Sequence, residues 1–320
     1  MSHTNITKKQ HYVPKFYLRR FSDHLGKLQV LDIMNHRLGA PKHCSAVAYS
    51  HYFYAVETGI PDEASQHVEQ WLQQFENVIA QEIQGIIHRI LNCEHIDETD
   101  HHILAVFMCM LWLRSPNMRD QLNMIQEDVM KQIMKFYVPE SVDRHIETTE
   151  VSMSDEERAD LIHTMETGSY NLRFNNKQHL KFMTENLGFV GSGFANLFFG
   201  QKWKIYIARG KERFITSDAP VVEWCPPRQS FYGPTFLERN KYFALTPEIF
   251  IELTYPIGSD KVKRKTLFER EDHTVAVFNR LIVDHAHEFA YASNRKPLDD
   301  LISGHETPGV IKIAYFNQFK

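Results

Sequence analysis

The sequence predicts an α+β fold that is predominantly helical, with a small antiparallel or mixed β-sheet in the C-terminal half and short N-terminal strands. Apolar residues follow helical spacing over about residues 61–200, whereas short aromatic and β-branched segments follow residue 201. Helices and strands are not interleaved one for one, which argues against a doubly wound α/β fold. With 43% hydrophobic and 24% charged residues among 320, the chain has the composition of a folded protein.

The first sixty residues contain short extended segments and one rigid elbow. Lys27–Ile33 and His51–Val56 carry the alternating, aromatic or β-branched residues that are typical of strands. Pro14 favours an extended conformation at Val13 and can itself begin a helix. We therefore expect the chain to turn from extended backbone into a helix at this proline.

Four long helices are predicted between residues 61 and 200. The first begins just after Pro61, and its apolar residues at i, i+3, i+4 and i+7 spacing are Val68, Trp71, Leu72, Phe75, Ile79, Ile83, Ile86, Ile87, Ile90 and Leu91. The second spans about Glu98–Leu113 and ends before Pro116. A third covers about Asn117–Tyr137, and a fourth covers about Lys177–Phe199.

The segment 138–168, between the third and fourth helices, is polar and acidic. Ser154 and Glu157 have the spacing of a capping box, which predicts a short exposed helix. The segment could serve as a lid or as a surface for a partner.

After residue 201 the pattern changes to strands followed by one more helix. The predicted strands are Trp203–Ala208, Arg213–Thr216, Tyr242–Leu245 and Phe250–Tyr255. The helix covers about Phe268–Ala292, with Val275, Phe278, Ile282, His285 and Phe289 as its inward stripe, and Val310–Phe316 could add a closing strand. We interpret residues 1–320 as one composite domain, softly divided into 1–60, 61–200 and 201–320, because the N-terminal strands are too few to fold alone.

Charge and composition restrict the partners and the compartment. The formal charge of −4 argues against a protein held to nucleic acid by its overall field, although a local basic groove remains compatible with it. The four cysteines are scattered, and no apolar stretch has the roughly 20 residues that a membrane span needs. These features predict a cytoplasmic protein without a membrane partner.

Three segments contain polar residues that could carry chemistry. His11 lies immediately before the elbow and could be either a hydrogen-bonded core histidine or a general acid or base. Arg114 closes an apolar helix and needs a carboxylate, the helix's own carbonyl groups or an external anion. The predicted strand that begins at Arg213 ends in Thr216, Ser217 and Asp218. At this strand end, Asp218 could act as a base, a metal ligand or an ordinary turn residue.

These segments together give the chain a family resemblance. The stretches QHYVPKFYLRRF, LRSP, FITSDAPVV and LTPEIFIELTYP, with the late helix around FNRLIV, resemble the HYVP-motif family of uncharacterised proteins, domain of unknown function 4238. The resemblance covers most of the chain and implies no mechanism. It draws attention to His11, Tyr12, Pro14, Arg19, Arg114, Thr216, Ser217, Asp218, Pro220 and Asn279. Ala219 stands where the family often has Asn, so a role for an amide there is not expected.

Other kinds of site are excluded by the sequence. His285 and His287 would point about 200° apart on a helix, so they should not share a metal ion. The sequence has no phosphate-binding loop, dinucleotide-binding, zinc-protease or α/β-hydrolase motif.

Two hypotheses of function follow. In the first, the protein is a nuclease-like or phosphate-ester-cleaving hydrolase. His11 is then the acid or base, and Asp218 orients it or holds a divalent cation such as Mg²⁺. RNA, DNA or a nucleotide would be bound through its phosphates or other groups by six residues: Tyr12, Arg19, Arg114, Thr216, Ser217 and Asn279. In the second, the protein is a non-catalytic nucleic-acid or protein binding or sensing module, and the same residues form a structural hydrogen-bond network.

Overall fold

The computed structural model of the protein describes residues 8–54, 66–149, 153–172, 177–187, 193–224, 239–255 and 263–303. These residues confirm the α+β class, because helices fill the middle of the chain and strands from both ends form sheets. Across the same residues, we find no helix with the length and apolar composition that crossing a membrane requires.

The N-terminal elbow is present as predicted. Strand β1 (Lys9–His11) leads to Pro14, whose φ of −59° and ψ of 137° place it just outside helix α1 (Lys15–Leu18). The predicted strand Lys27–Ile33 is confirmed as β2 (Lys27–Asp32).

Three more short strands follow: β3 (Arg37–Leu38), β4 (Lys42–His43) and β5 (Tyr49–His51). The strand predicted at His51–Val56 is therefore wrong in position. Tyr52 has a φ of +56°, which ends the extended backbone in a turn, and Val56 lies outside the described residues.

The helical region contains α2 (Gln66–Leu91), α3 (Glu98–Leu113), α4 (Pro116–Thr149), α5 (Asp155–Thr167), α6 (Lys177–Leu187) and α7 (Phe194–Gly200). Helix α3 has the predicted bounds. Its residues from 104 onward are buried on every side, as expected for a helix that is apolar all round, and α2, α6 and α7 pack against it.

Two helix predictions need correction. Helix α4 continues to Thr149 instead of ending near Tyr137, so Pro139 lies within the helix and does not terminate it. The helix predicted over Lys177–Phe199 is described as α6 and α7, with Gly193 at φ +71° immediately before α7; residues 188–192 lie outside the described part. The predicted capping box of α5 is confirmed, since Glu157 N donates to Ser154 Oγ at 3.2 Å.

A mixed sheet follows the helices. Its strands are β6 (Lys202–Ala208), β8 (Val221–Trp224), β9 (Asn240–Thr246), β10 (Ile249–Thr254) and β11 (Lys263–Leu267), in the order β11-β6-β10-β9-β8. All neighbours are antiparallel except β11 and β6.

The strand predicted at Arg213–Thr216 is displaced, and only β7 (Thr216–Ser217) is a strand. The Asn279 amide explains the difference, because it bonds the Arg213 carbonyl at 2.9 Å and the Ile215 N–H at 3.0 Å. These backbone groups therefore have a side-chain partner in place of a neighbouring strand.

The helix predicted over Phe268–Ala292 is also wrong at its ends. Helix α8 covers Asp272–His285 and strand β12 covers Phe289–Ala292, before the short helix α9 (Lys296–Ile302). Strand β12 is central in a second sheet with the order β3-β2-β12-β7, to which β4 adds through β2. The predicted closing strand Val310–Phe316 lies outside the described residues.

Tyr17 connects the N-terminal elbow to the mixed sheet. Its buried hydroxyl donates to the Ala244 carbonyl at 2.6 Å and lies 2.7 Å from Thr216 Oγ1. Because the single phenol proton goes to the carbonyl, Thr216 must donate to Tyr17. The elbow, β7 and β9 are thus joined at one buried point.

Candidate functional site

His11 lies in the ribbon formed by β1 and β5, where it is 9% exposed. Its Nε2 lies 3.3 Å from the Ser45 carbonyl, and its ring packs near Tyr49. Burial and the nearby charge of Lys15 lower the pKa of His11 to about 4. The imidazole is therefore neutral at pH 7, with a pKa below the range best suited to a general acid or base.

A pH experiment tests this environment of His11. The unfolded state gains a proton on His11 below about pH 6.5 and the native state only near pH 4, so this residue lowers stability as the pH falls through that interval. We expect the stability cost of His11→Gln to be smaller at pH 5 than at pH 7.5, as measured by urea unfolding. An equal cost at both pH values would show that His11 titrates normally in the folded protein.

Arg114 is almost completely buried at the end of α3 and lies behind the elbow. Its guanidinium donates to Tyr54 Oη at 2.8 Å, to Glu76 Oε1 at 2.5 Å and to the His11 carbonyl. Burial alone would lower the pKa of Arg114, but the negatively charged Glu76 and the Tyr54 hydroxyl raise it. We call Arg114, Tyr54, Glu76 and the His11 carbonyl the elbow anchor. The sequence predicted that Arg114 binds substrate, but its guanidinium bonds internal partners instead.

Asp218 is fully buried between β7 and the turn that precedes β12. Its carboxylate accepts the N–H groups of His287 at 2.8 Å, Glu288 at 2.8 Å and Phe289 at 2.9 Å. Burial raises the pKa of Asp218 to about 6, although the three amides act in the opposite direction. This geometry is that of a turn-stabilising carboxylate.

The other predicted binding residues around β7 also bond internal groups. Thr216 bonds Tyr17, Ser217 Oγ accepts Ala219 N–H at 3.2 Å, and Asn279 bonds the backbone before β7. All three are buried.

Tyr12 and Arg19 have different positions. Tyr12 is buried beside the Phe53 ring, and burial, together with the charge of Asp218, raises the pKa of Tyr12. Arg19, by contrast, is exposed on the protein surface. Of the predicted site residues, Tyr12 is affected by the charge of Asp218, and Arg114 donates a hydrogen bond to the His11 carbonyl. The His11 ring and the Asp218 carboxylate each bond other groups.

His287 and Asp120 form a pair that sequence reasoning missed. His287 Nε2 lies 3.0 Å from Asp120 Oδ2, and this carboxylate raises the pKa of His287. Arg119 lies next in sequence and stacks on the Phe53 ring at 3.4 Å. The sequence pattern predicted a helix through His287, whereas His287 lies in the turn held by Asp218. Only recognition of the short strand β12 could have revealed this.

No group of three or more His, Cys, Asp or Glu side chains is positioned to hold a metal ion in the part of the chain that the structure describes.

The N-terminal segment 8–54 differs from the rest of the chain in charge. It has eight lysines and arginines against two aspartates, a formal charge of +6, whereas the whole chain carries −4. Seven of the basic side chains are exposed, and they are Lys8, Lys9, Lys15, Arg19, Lys27, Arg37 and Lys42. None of the eight forms an ion pair with a carboxylate of the described residues, although many cations elsewhere do.

Comparison with known proteins adds one match. A family model described as a protein of unknown function (DUF4238) matches residues 9–296. No curated protein and no solved structure matches the chain.

Proposed function

Because the chain belongs to the DUF4238 family, whose description assigns no activity, we propose from its own surface that it binds nucleic acid without cleaving it. The binding surface is the exposed basic part of residues 8–54, which we call the basic segment. The observation that carries this proposal is the net formal charge of +6 on residues 8–54, whose eight basic side chains form no ion pair with a described carboxylate.

Exposed cations that pair with no described carboxylate are suited to a phosphate backbone. Each one that neutralises a phosphate releases condensed counterions, which favours binding at low salt. The negative charge of the remaining chain confines this attraction to one region of the protein. A local basic surface therefore suits nucleic acid even though the whole protein is acidic.

The buried predicted residues have a supporting role in this proposal. The elbow anchor and the Tyr17 bonds attach the basic segment to α2, α3 and the mixed sheet. Asp218 holds the turn before β12, the strand that pairs with β2 of the basic segment. Together these contacts keep the exposed cations in a defined arrangement.

The phosphate-ester hydrolase, with Mg²⁺ as its expected cofactor, stays a prediction. The geometry supports it less well, because the polar groups of Arg114, Thr216, Ser217 and Asp218 bond internal partners and His11 has a pKa of about 4.

The salt dependence of oligonucleotide binding tests the proposed function. We expect a fluorescein-labelled 20-nucleotide RNA or DNA to lose roughly 50-fold in affinity between 50 and 200 mM salt, for about four phosphate contacts. Replacing Lys15, Arg19, Lys27 and Lys42 by Gln should remove most of this binding and flatten the salt dependence, as measured by fluorescence anisotropy.

A matched control changes the same total charge elsewhere. Lys181, Lys211, Arg295 and Lys296 are exposed but paired with carboxylates. Their replacement by Gln should change the affinity little. Equal losses in both variants, or no binding by the unmodified protein at 50 mM salt, would contradict a binding role for the basic segment.

A further inference from the structure

The β1–β5 ribbon brings one lysine and three rings onto the same face. Lys9 is paired with His51, and His11 is paired with Tyr49, in an antiparallel register. Alternate residues of a strand share a face, and directly opposed residues of paired strands do so as well. We call Lys9, His11, Tyr49 and His51 the ring face.

The members of the ring face contact one another in a row. The Tyr49 ring centroid lies 5.6 Å from that of His11 and 5.8 Å from that of His51. Lys9 Nζ lies 4.8 Å from the Tyr49 ring centroid. Three rings and a cation thus form a continuous row of contacts, in which the Tyr49 and His51 rings reach the solvent.

The opposite face of the ribbon points inward. Gln10 is fully buried and its side-chain oxygen accepts the Tyr54 N–H at 2.6 Å. On the ring face, Lys9 and His51 are exposed, Tyr49 is half-buried and His11 is buried. Cross-strand aromatic contacts stabilise many ribbons by themselves, but stabilisation alone does not require the Tyr49 and His51 rings to reach the solvent beside an exposed lysine that pairs with no described carboxylate.

We propose that the ring face stacks unpaired bases, so that the basic segment binds single-stranded nucleic acid in preference to a duplex. This inference rests on the proposed function. An unpaired base offers its flat face to an aromatic ring, whereas the bases of a duplex already stack on one another. Lys9 and the nearby Lys15, whose charges both act on His11, would contact the flanking phosphates.

The neutral state of His11 suits this role. Its low pKa keeps the buried ring uncharged at pH 7, so it packs against Tyr49 as an aromatic group and supports the partly exposed Tyr49 ring. Lys9 supplies the positive charge at the same place.

Removal and restoration of the Tyr49 ring test the inference. The probes are a fluorescein-labelled 12-nucleotide dT strand, a 12-nucleotide U strand and a 12-base-pair DNA duplex. We expect the unmodified protein to bind both single strands more tightly than the duplex. Tyr49→Ala should weaken single-strand binding roughly tenfold, Tyr49→Phe should retain it, and duplex binding should be nearly equal in all three proteins.

The controls separate this inference from the proposed function. Phe268→Ala removes an exposed ring outside the basic segment and should leave binding unchanged. Circular dichroism melting shows whether Tyr49→Ala stays folded, and Tyr49→Phe provides a second test if it does not. If the protein binds duplex as tightly as single strands, or if a folded Tyr49→Ala binds normally, the stacking inference fails while the proposed function stands. If no probe binds, or a 12-residue polyglutamate competes equally well, the proposed function fails as well.

Discussion

Replacement of Arg114 by Ala should lower the free energy of unfolding by about 3 kcal/mol or more. Arg114 is the only described donor to three elbow-anchor groups at once, and it is 1% exposed. Its loss leaves the Glu76 carboxylate without its cation and the His11 carbonyl without its strongest donor. Lysine cannot restore the forked geometry of the guanidinium, so Arg114→Lys should recover only part of the loss.

Urea unfolding followed by circular dichroism measures this effect. Arg295→Ala is a suitable control, because Arg295 forms an exposed ion pair with Asp299 at 3.0 Å and exposed pairs contribute little. Equal stability of Arg114→Ala and Arg295→Ala would show that the elbow anchor is not a stabilising element.

The second large effect is expected at Asp218. Asn has almost the same shape as Asp, but its amide NH₂ must face at least one of the three backbone N–H groups that Asp218 now accepts. We expect Asp218→Asn to lower the free energy of unfolding by about 2 kcal/mol, because a buried donor loses its acceptor. The turn before β12 should also become less protected against amide hydrogen exchange.

The same variant distinguishes a structural carboxylate from a reactive one. Removal of a purely catalytic charge commonly leaves stability unchanged or raises it. A normal or higher unfolding free energy for Asp218→Asn, with unchanged exchange at residues 287–289, would contradict the structural role. Asp299→Asn, at an exposed carboxylate, is the control.

Local patterns predicted the helices well. The apolar periodicity of α2, the bounds of α3 and the Ser154–Glu157 capping box depend on residues close in sequence, and all are present in the structure. The error at β12 arose because distant contacts override the local pattern. The spacing of His285 and Phe289 continues a helical stripe, yet β12 is a strand because β2 and β7 lie on its two sides.

The candidate residues could be identified from sequence, but their partners could not. Arg114 was expected to need a carboxylate, the carbonyl groups of its own helix or an external anion. Its partners Glu76 and the His11 carbonyl lie 38 and 103 positions away. Asp218 was expected to be either a turn former or a reactive group, and its partners are 69 to 71 positions away. Such pairings depend on the packing of the whole chain, which no local spacing describes.

One cleavage experiment tests the central claim that the basic segment binds nucleic acid while His11 and Asp218 hold the structure. A 5′-labelled 20-nucleotide RNA is incubated with excess protein at 50 mM salt with Mg²⁺ or Mn²⁺, and each sample is divided between a native and a denaturing gel. We predict a retarded band on the native gel and full-length RNA on the denaturing gel. Cleavage by the unmodified protein that is abolished in folded His11→Gln and Asp218→Asn variants would contradict the account.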